Sequence, residues 1–305
     1  MLQYIVRRLL WAFLAVLGIS AITYVIAFGI PSNPAKMIAG QHATAATVHA
    51  VYMQLHLYLP LWQRFLIFLW GMLHGDFGYS YVYHRPVLAM VAGAAPATLL
   101  LAVAAITAEL LIGVPVGIVS AARKGHLSDS VLTILTLVGI SMPTYWVGMM
   151  LLLGLSFKLG WFPMNGYSLA GVVLPALSVG ITGSAYYARI LRSTMLEVMH
   201  LDYVRTARAK GLSEWRVLLH HTVRNALIPL VTMMGLDFSS LLGGLIVSEV
   251  IFGWPGLGLL ANQAIGSLDE AVIEGVTLYA AIAVVLVNLV VDIVYAFLDP
   301  RITYS

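Results

Sequence analysis

The chain has 305 residues, of which 61% are hydrophobic and only 10% are charged, which excludes an ordinary soluble globular protein and a disordered chain. It has no cysteine, which excludes disulfides and thiolate sites. Its net charge of +3 is expected of a membrane protein that keeps basic residues on one surface, so we expect no nucleic-acid partner.

Six apolar segments are long enough to cross a bilayer as helices, which requires about 20 mostly apolar residues. They are residues 9–30, 94–121, 131–157, 169–188, 226–250 and 272–297. The first exceeds the apolar core of a cleaved signal peptide, so we expect it to remain as an anchor. The sequence predicts an all-α integral membrane protein with six transmembrane helices in one domain, 1–305.

The distribution of basic residues orients these helices. Of the 16 lysines and arginines, four fall on the side opposite the two termini, namely Lys36, Arg64, Arg85 and Lys158. Because basic loops are retained in the cytoplasm, we expect both termini to be cytoplasmic. The predicted layout is an anchor at 1–30, an external loop at 31–93, core helices at 94–298 and a cytoplasmic tail at 299–305.

Two features stand out in the external loop. Residues 61–70, LWQRFLIFLW, are too short to span and carry two tryptophans, so we expect a helix at the membrane interface or against the bundle. Residues 74–80, HGDFGYS, predict a turn punctuated by glycine.

A basic segment lies between the fourth and fifth predicted spans, within a cytoplasmic loop at 189–225. It begins with DYVRTARAKGL, in which residues 203–210 favour a helix and Gly211 is a typical helix stop. Ser213 can cap a second short helix, with Glu214 well placed in its first turn. Two short helices hinged at a glycine form a surface suited to a protein partner, although basic residues are expected in any cytoplasmic loop.

The second of these helices has two predicted faces. Helical spacing places Trp215, Leu218, Leu219 and Thr222 on one face. His220, His221 and Arg224 form the other.

Acidic residues at membrane depth are costly and often functional. Glu109, Asp237 and Asp292 lie within predicted spans, Glu249 lies near an outer end, and Asn288 shares a helical face with Asp292. Asp237, Glu249, Asn288 and Asp292 are therefore candidates for a translocation path or gate, and hydrogen bonding between helices is the structural alternative. An ion-coupled secondary transporter remains a second hypothesis.

The sequence argues against an enzyme. No lysine follows a glycine, so the chain cannot be a P-loop ATPase, and energy for uphill transport must come from a partner or an ion gradient. In the predicted topology no histidine lies at membrane depth beside a serine, which nucleophilic catalysis would require. Histidines at 42, 49 and 56 recur at intervals of about 10 Å along a helix, too far apart to share one ion, so we expect no metal site.

Several ordered motifs together resemble one family. They are YIVRRLL (4–10), HGDFGYS (74–80), RPV (85–87), PAT (96–98), GISMP (139–143), DYVRTARAKGL (202–212), VRNALIPLVTMMG (223–235), SEVIFGWPGLG (248–258) and DPRI (299–302). Their order is similar to that in permease subunits of ABC importers for dipeptides, oligopeptides and nickel.

The resemblance implies a type I ABC importer permease fold, with a coupling helix that docks into a cytoplasmic ATPase. Its contact residues would be Arg205, Thr206, Ala207, Arg208, Ala209, Lys210, Gly211 and Leu212. The implied partners are a different sister permease in a heterodimer, two ATPase subunits and an extracytoplasmic solute-binding protein. ATP and Mg²⁺ would bind to the ATPases, and this chain would bind no cofactor. The implied cargo is a short peptide, with nickel complexes or glutathione as alternatives.

Overall fold

The computed structural model describes residues 2–29, 35–36, 43–54, 56–80 and 82–298, and this part of the chain is almost entirely helical. The predicted tail at 299–305 and His42 lie outside the described residues. The α-helices are α1 (Leu2–Gly29), α2 (Ala45–Gln54), α3 (Leu61–Leu73), α4 (Val87–Ala122), α5 (Leu127–Ser141), α6 (Thr144–Leu151), α7 (Val173–Val198), α8 (Asp202–Ala209), α9 (Glu214–Arg216), α10 (Arg224–Ala226), α11 (Ile228–Gly244), α12 (Ile246–Ile251), α13 (Leu257–Ser267) and α14 (Glu270–Leu298). The π-helical segments Leu152–Lys158 and Val217–Val223 follow α6 and α9 directly, and β1 (Tyr79–Ser80) pairs antiparallel with β2 (Arg85–Pro86).

Three helical stretches in the described chain are long and apolar enough to cross a membrane. They are Val87–Ala122, Glu214–Gly243 and Glu270–Val291. Helix α5 and the helix that follows it form a fourth if their bent pair counts as one span, and Leu10–Ile26 in α1 is a shorter apolar stretch. The structure supports several apolar helices, and the count of six spans stays a prediction.

The third predicted span, 131–157, corresponds to two helices joined by a sharp bend. Helix α5 ends at Ser141, and the chain turns by 102° before it continues from Thr144 to Lys158. Met142 is extended, with ψ of 128°, because the ring of Pro143 disfavours a helical conformation in the preceding residue.

The boundaries of two other predicted spans also differ from the structure. The fourth, 169–188, corresponds to α7, which starts at Val173 and continues through Arg189 and Arg192 to Val198. The fifth, 226–250, is interrupted at Leu245, between α11 and α12.

Contacts divide the chain into two compact units. The first unit contains the described residues up to Pro96 together with Gly256–Leu286, and the second contains Ala97–Pro255 and the described residues from Val287 onward. In the first, the start of α4 packs against α13 and α14 around a core of Val87, Val91, Ala94, Leu257, Ala264, Val272 and Val276. The β-hairpin is tied to the start of α14 by the hydroxyl of Ser80, which donates to Asp269.

The loop predicted at 31–93 contains the expected short helix as α3, residues Leu61–Leu73. The predicted turn follows it, with Gly75 and Gly78 in left-handed conformations at φ of 80° and 86°. The helix and the turn are both confirmed, because a short apolar run and two glycines favour them locally. The position of this helix at the membrane interface stays a prediction.

The second unit is held together by close contact between α4 and α7. Gly113 and Gly117 lie one turn apart on α4, where a Cβ would come within 2.5 Å of the Ser184 carbonyl oxygen and 2.8 Å of the Ala188 carbonyl oxygen. On α7, Gly180 meets α4 in the same way. Small residues at four-residue spacing allow two membrane helices to pack backbone against backbone.

Candidate functional site

The basic segment forms a helical hairpin at the end of α7. Helix α8 starts at Asp202, after Leu201 in extended conformation, and ends where Gly211 adopts a left-handed φ of 77°. Gly211 is free of the Cβ clash that disfavours this conformation. The first predicted helix and its glycine stop are therefore confirmed.

One side of α8 is anchored in the protein's own core. Val204 and Ala207 are buried, with Ala207 only 5% exposed, and they belong to a cluster that includes Leu191 and Met195 of α7. Val217 of the following π-helical segment completes this contact. The hairpin consequently packs against the end of α7.

Hydrogen bonds hold the two arms of the hairpin together. Arg208 donates from Nε to Oε1 of Glu214 at 3.0 Å. Asn225 donates from Nδ2 to the Tyr203 hydroxyl at 2.8 Å and to the carbonyl oxygen of His221 at 3.0 Å. These hydrogen bonds link both ends of α8 to the second arm of the hairpin.

The opposite side of α8 is exposed, and it carries most of the predicted docking residues. The exposed members are Arg205, Thr206, Ala209, Lys210 and Gly211. Arg208 and Leu212 are half-buried, and Ala207 faces the core. We call the five exposed residues the docking face. It combines two basic side chains with two small residues, a composition that permits close approach of an acidic partner surface.

The second helix of the hairpin differs from the prediction. It is not a separate short helix, because α9, the π-helical segment and α10 lead into α11. The four residues predicted to share one face also do not share it, since Trp215 and Leu219 are exposed whereas Leu218 and Thr222 are buried. Val217 and Leu218 are buried, and so are Thr222 and Val223, which follow five residues later. A π-helix bonds residue i to i+5, so it presents this repeat to the core.

A cavity of about 580 Å³ lies within the second unit. Its lining comes from α4, α5, α6, α7 and α11, with Met142 from the linker between α5 and α6. Two acidic side chains, Glu109 and Asp237, reach it among mostly apolar neighbours. Volumes of this size accommodate small ligands in many proteins.

Three polar groups meet at this cavity. The Tyr187 hydroxyl donates to Oδ2 of Asp237 at 2.9 Å, and the carboxyl group of Glu109 lines the same cavity. Glu109 is 1% exposed. Gly183 of α7 provides the room for it, because a Cβ at that position would lie 2.1 Å from Oε1 of Glu109.

The structure describes the side chains of three of the four candidate path residues. Asp237 lines the cavity, whereas Glu249 is fully buried elsewhere in the same unit and accepts a 2.6 Å hydrogen bond from the Thr98 hydroxyl. Asn288 lies half-buried on α14 and is not part of the described cavity lining. The side chain of Asp292 lies outside the described residues.

Sequence reasoning placed Glu109 at membrane depth but did not pair it with Asp237, and it did not single out Tyr187. One signal was available, since Glu109 is an acid inside a long apolar run. Its partners lie on α7 and α11, and only the packing of those helices brings them together.

Comparisons with known proteins cover the whole chain. A family model described as "Binding-protein-dependent transport system inner membrane component" matches residues 113–304, and a model of the N-terminal part of such components matches residues 1–102. The glutathione transport system permease protein GsiC of Escherichia coli (strain K12) is 39% identical over 306 residues, with 100% of both chains covered. The dipeptide transport system permease protein DppB of the same strain is 36% identical over 338 residues, again with 100% of both covered.

A solved structure shares the fold. The inward-facing MetNI methionine ABC transporter contains a chain that aligns with a TM-score of 0.58 at 17% identity, covering 69% of this chain and 96% of that one. At this identity the similarity supports the architecture alone.

Proposed function

The chain belongs to the family of binding-protein-dependent transport system inner membrane components, and from that premise we propose that it is the permease subunit of an ATP-driven ABC importer for short peptides. Support for the cargo comes from relatives named for dipeptide and glutathione transport. Glutathione is itself a tripeptide, so it is the first alternative cargo, and nickel complexes are the second. Six spans with both termini in the cytoplasm complete the proposed layout, in one permease domain.

The observation that carries the mechanism is the docking face. Helix α8 is basic, packs against the protein's own core on one side and is exposed on the other. It is therefore suited to be displaced by a partner that binds its exposed side. The partner would be a cytoplasmic ATPase, because no lysine in this chain follows a glycine as a P-loop requires. Two such ATPases would bind ATP and Mg²⁺ and shift the permease between inward-open and outward-open states.

The remaining parts of the assembly follow from the same proposal. A sister permease forms the second half of the pore in a heterodimer, and an extracytoplasmic binding protein delivers the peptide. The chain itself binds no cofactor or metal in this scheme. Its own contributions are the alternating path through the membrane and the docking face.

Cross-linking tests the docking face directly, because the chain has no cysteine of its own. A cysteine at exposed Ala209 should cross-link to the ATPase in membranes that contain the full complex. A cysteine at Trp161 is the matched control, since it is exposed but lies on the predicted external side. Equal cross-linking of both variants, or none at Ala209, would contradict the proposed docking.

Transport in sealed vesicles tests the energy source. Uptake of a dipeptide by the reconstituted complex should require ATP and should not respond to uncouplers. The acidic cavity keeps an ion-coupled carrier as a second candidate, because in-membrane carboxyl groups often carry protons or cations. Uptake without ATP that is abolished by uncouplers would favour that candidate.

A further inference from the structure

The cavity of the second unit has two acidic side chains in its lining. Its lining contains Glu109 and Asp237, and among the described lining residues there is no lysine, arginine or histidine. An acidic pair in apolar surroundings is costly to bury unless a cationic or hydrogen-bonding partner is bound. The cavity is therefore suited to a ligand with a positive charge.

Glu109 supplies an unused acceptor at this position. Its Oε2 is buried and has no hydrogen-bond partner among the described residues. Gly183 preserves the space for the carboxyl group, since a Cβ there would lie 2.1 Å from Oε1 and 2.5 Å from the carboxyl carbon. The packing of α7 thus holds a carboxyl group beside the cavity with one oxygen unsatisfied.

Asp237 is oriented by a separate contact. The Tyr187 hydroxyl donates to its Oδ2 at 2.9 Å, and Tyr187 is almost fully buried. A carboxylate has about four lone-pair sites, so this bond leaves Asp237 able to accept further hydrogen bonds from a ligand. The two carboxyl groups then offer one acceptor each from two different helices.

We propose that Glu109 and Asp237 bind the terminal ammonium group of a peptide as it passes through this subunit. This proposal rests on the proposed function. A primary ammonium has three N–H donors and no acceptor, which matches two carboxyl oxygens together with a hydroxyl of Thr144 or Thr182 in the same lining.

The rest of the lining fits the variable part of a peptide. Met142 and Met233 are flexible and polarizable, so they can pack against side chains of different shape. The absence of a basic residue from the described lining leaves the peptide carboxylate without a partner here. This half of the pore therefore recognises the amino end of the cargo and tolerates variation beyond it.

Binding to the purified complex without its binding protein tests the proposal on the unmodified protein. The probes are alanyl-alanine amide and its N-acetyl derivative, which differ in the ammonium group. We expect the free amine to bind at least about tenfold more tightly, because acetylation removes the charged N–H donors and their hydrogen bonds to the carboxyl groups. Equal binding of the two probes would overturn the assignment.

Substitutions locate the site. Glu109→Gln and Asp237→Asn should each lower dipeptide uptake by about tenfold or more, because each removes a charged acceptor. Glu274→Gln is the matched control: Glu274 is 4% exposed and one of its carboxyl oxygens also has no hydrogen-bond partner in the described part of the chain, but it lies in the other unit. Its uptake should stay within about twofold of the unmodified complex.

The outcomes separate the two proposals. If the unmodified complex shows no ATP-dependent uptake of dialanine, the proposed function fails. If it transports dialanine but Glu109→Gln transports equally well, the ammonium site fails while the function stands. If the variant instead loses a dependence on Na⁺ or K⁺ without any change in the preference for a free amine, the site binds an inorganic cation and the proposal is overturned.

Discussion

A buried ion pair near the docking hairpin allows a quantitative prediction. Asp129, in the first turn of α5, accepts hydrogen bonds from Nε and Nη2 of Arg192 at 2.8 and 2.9 Å. It also accepts from the Ser120 hydroxyl at 2.6 Å and from the backbone N–H of Gly125 at 3.1 Å. One carboxylate therefore joins α4, the turn after it, α5 and α7.

The cost of Asp129→Ala can be estimated from these contacts. Removing one partner of a fully buried ion pair costs roughly 3–5 kcal/mol, because the remaining charge is left unpaired. The Arg192 side chain is 29% exposed, so water can reach part of its guanidinium after the substitution. We therefore expect a loss of about 2–3 kcal/mol in the free energy of unfolding.

Thermal unfolding of the purified permease complex measures this effect. The midpoint should fall by about 5 °C or more for Asp129→Ala. Glu214→Gln is the control, because it breaks the 3.0 Å pair with Arg208, in which Glu214 is 73% exposed. An exposed pair contributes about 0–1 kcal/mol, so the control should be nearly unchanged.

A second variant tests whether the cost arises from the pair itself. Asp129→Ala combined with Arg192→Met should lose less than the sum of the two single substitutions, because the double variant leaves no unpaired charge. Additive losses, or a midpoint for Asp129→Ala within about 1 °C of the Glu214→Gln midpoint, would refute the reasoning.

Three further substitutions have distinct expected outcomes. The Ala209→Trp variant should fold, and its complex should still hydrolyse ATP but lose peptide uptake, because Ala209 is exposed. Ala207→Trp should instead lower the amount of folded complex, because Ala207 is buried. Gly117→Ala should lower the free energy of unfolding by about 1–3 kcal/mol, because a Cβ would lie 2.8 Å from a backbone oxygen of α7. Gly154→Ala should leave the free energy of unfolding nearly unchanged, because Gly154 has open space around it. Trp254→Phe should cost about 1 kcal/mol in unfolding measurements, since it removes a buried 2.8 Å hydrogen bond from the indole nitrogen to a carbonyl oxygen of α4.

The parts of the fold that the sequence predicted are those fixed locally. The end of α8 at Gly211 depends on one residue that tolerates positive φ, and the helix α3 depends on one apolar run. Both are visible in a few consecutive residues. The bend at Pro143 was harder to predict from the sequence, because a proline inside an apolar segment is compatible with either a kinked span or a break.

The parts that the sequence did not predict depend on packing between distant segments. The π-helical spacing of Val217 and Thr222 is selected by burial against α7 and α8, and a 3.6-residue period assigned Trp215 to the wrong face. Similarly, Glu109 was recognisable as an unusual residue, but its proximity to Asp237 requires the register between α4 and α11. The docking residues could be named from the motif, and only the structure divides them into exposed and buried members.

Helix α7 connects the two candidate sites. It carries Gly183 beside the cavity, Tyr187 bonded to Asp237, and Arg192 of the buried ion pair, before it ends at Val198 and leads into the docking hairpin. The distance from Gly183 to Val198 is about 22 Å along one uninterrupted helix. A displacement of α8 must therefore move the cavity wall unless α7 bends, and the close packing of α4 and the ion pair to α5 both oppose bending. It follows that damage to the docking face should separate ATP hydrolysis from uptake, whereas damage to the cavity should alter which peptides are carried while the ATPases continue to respond.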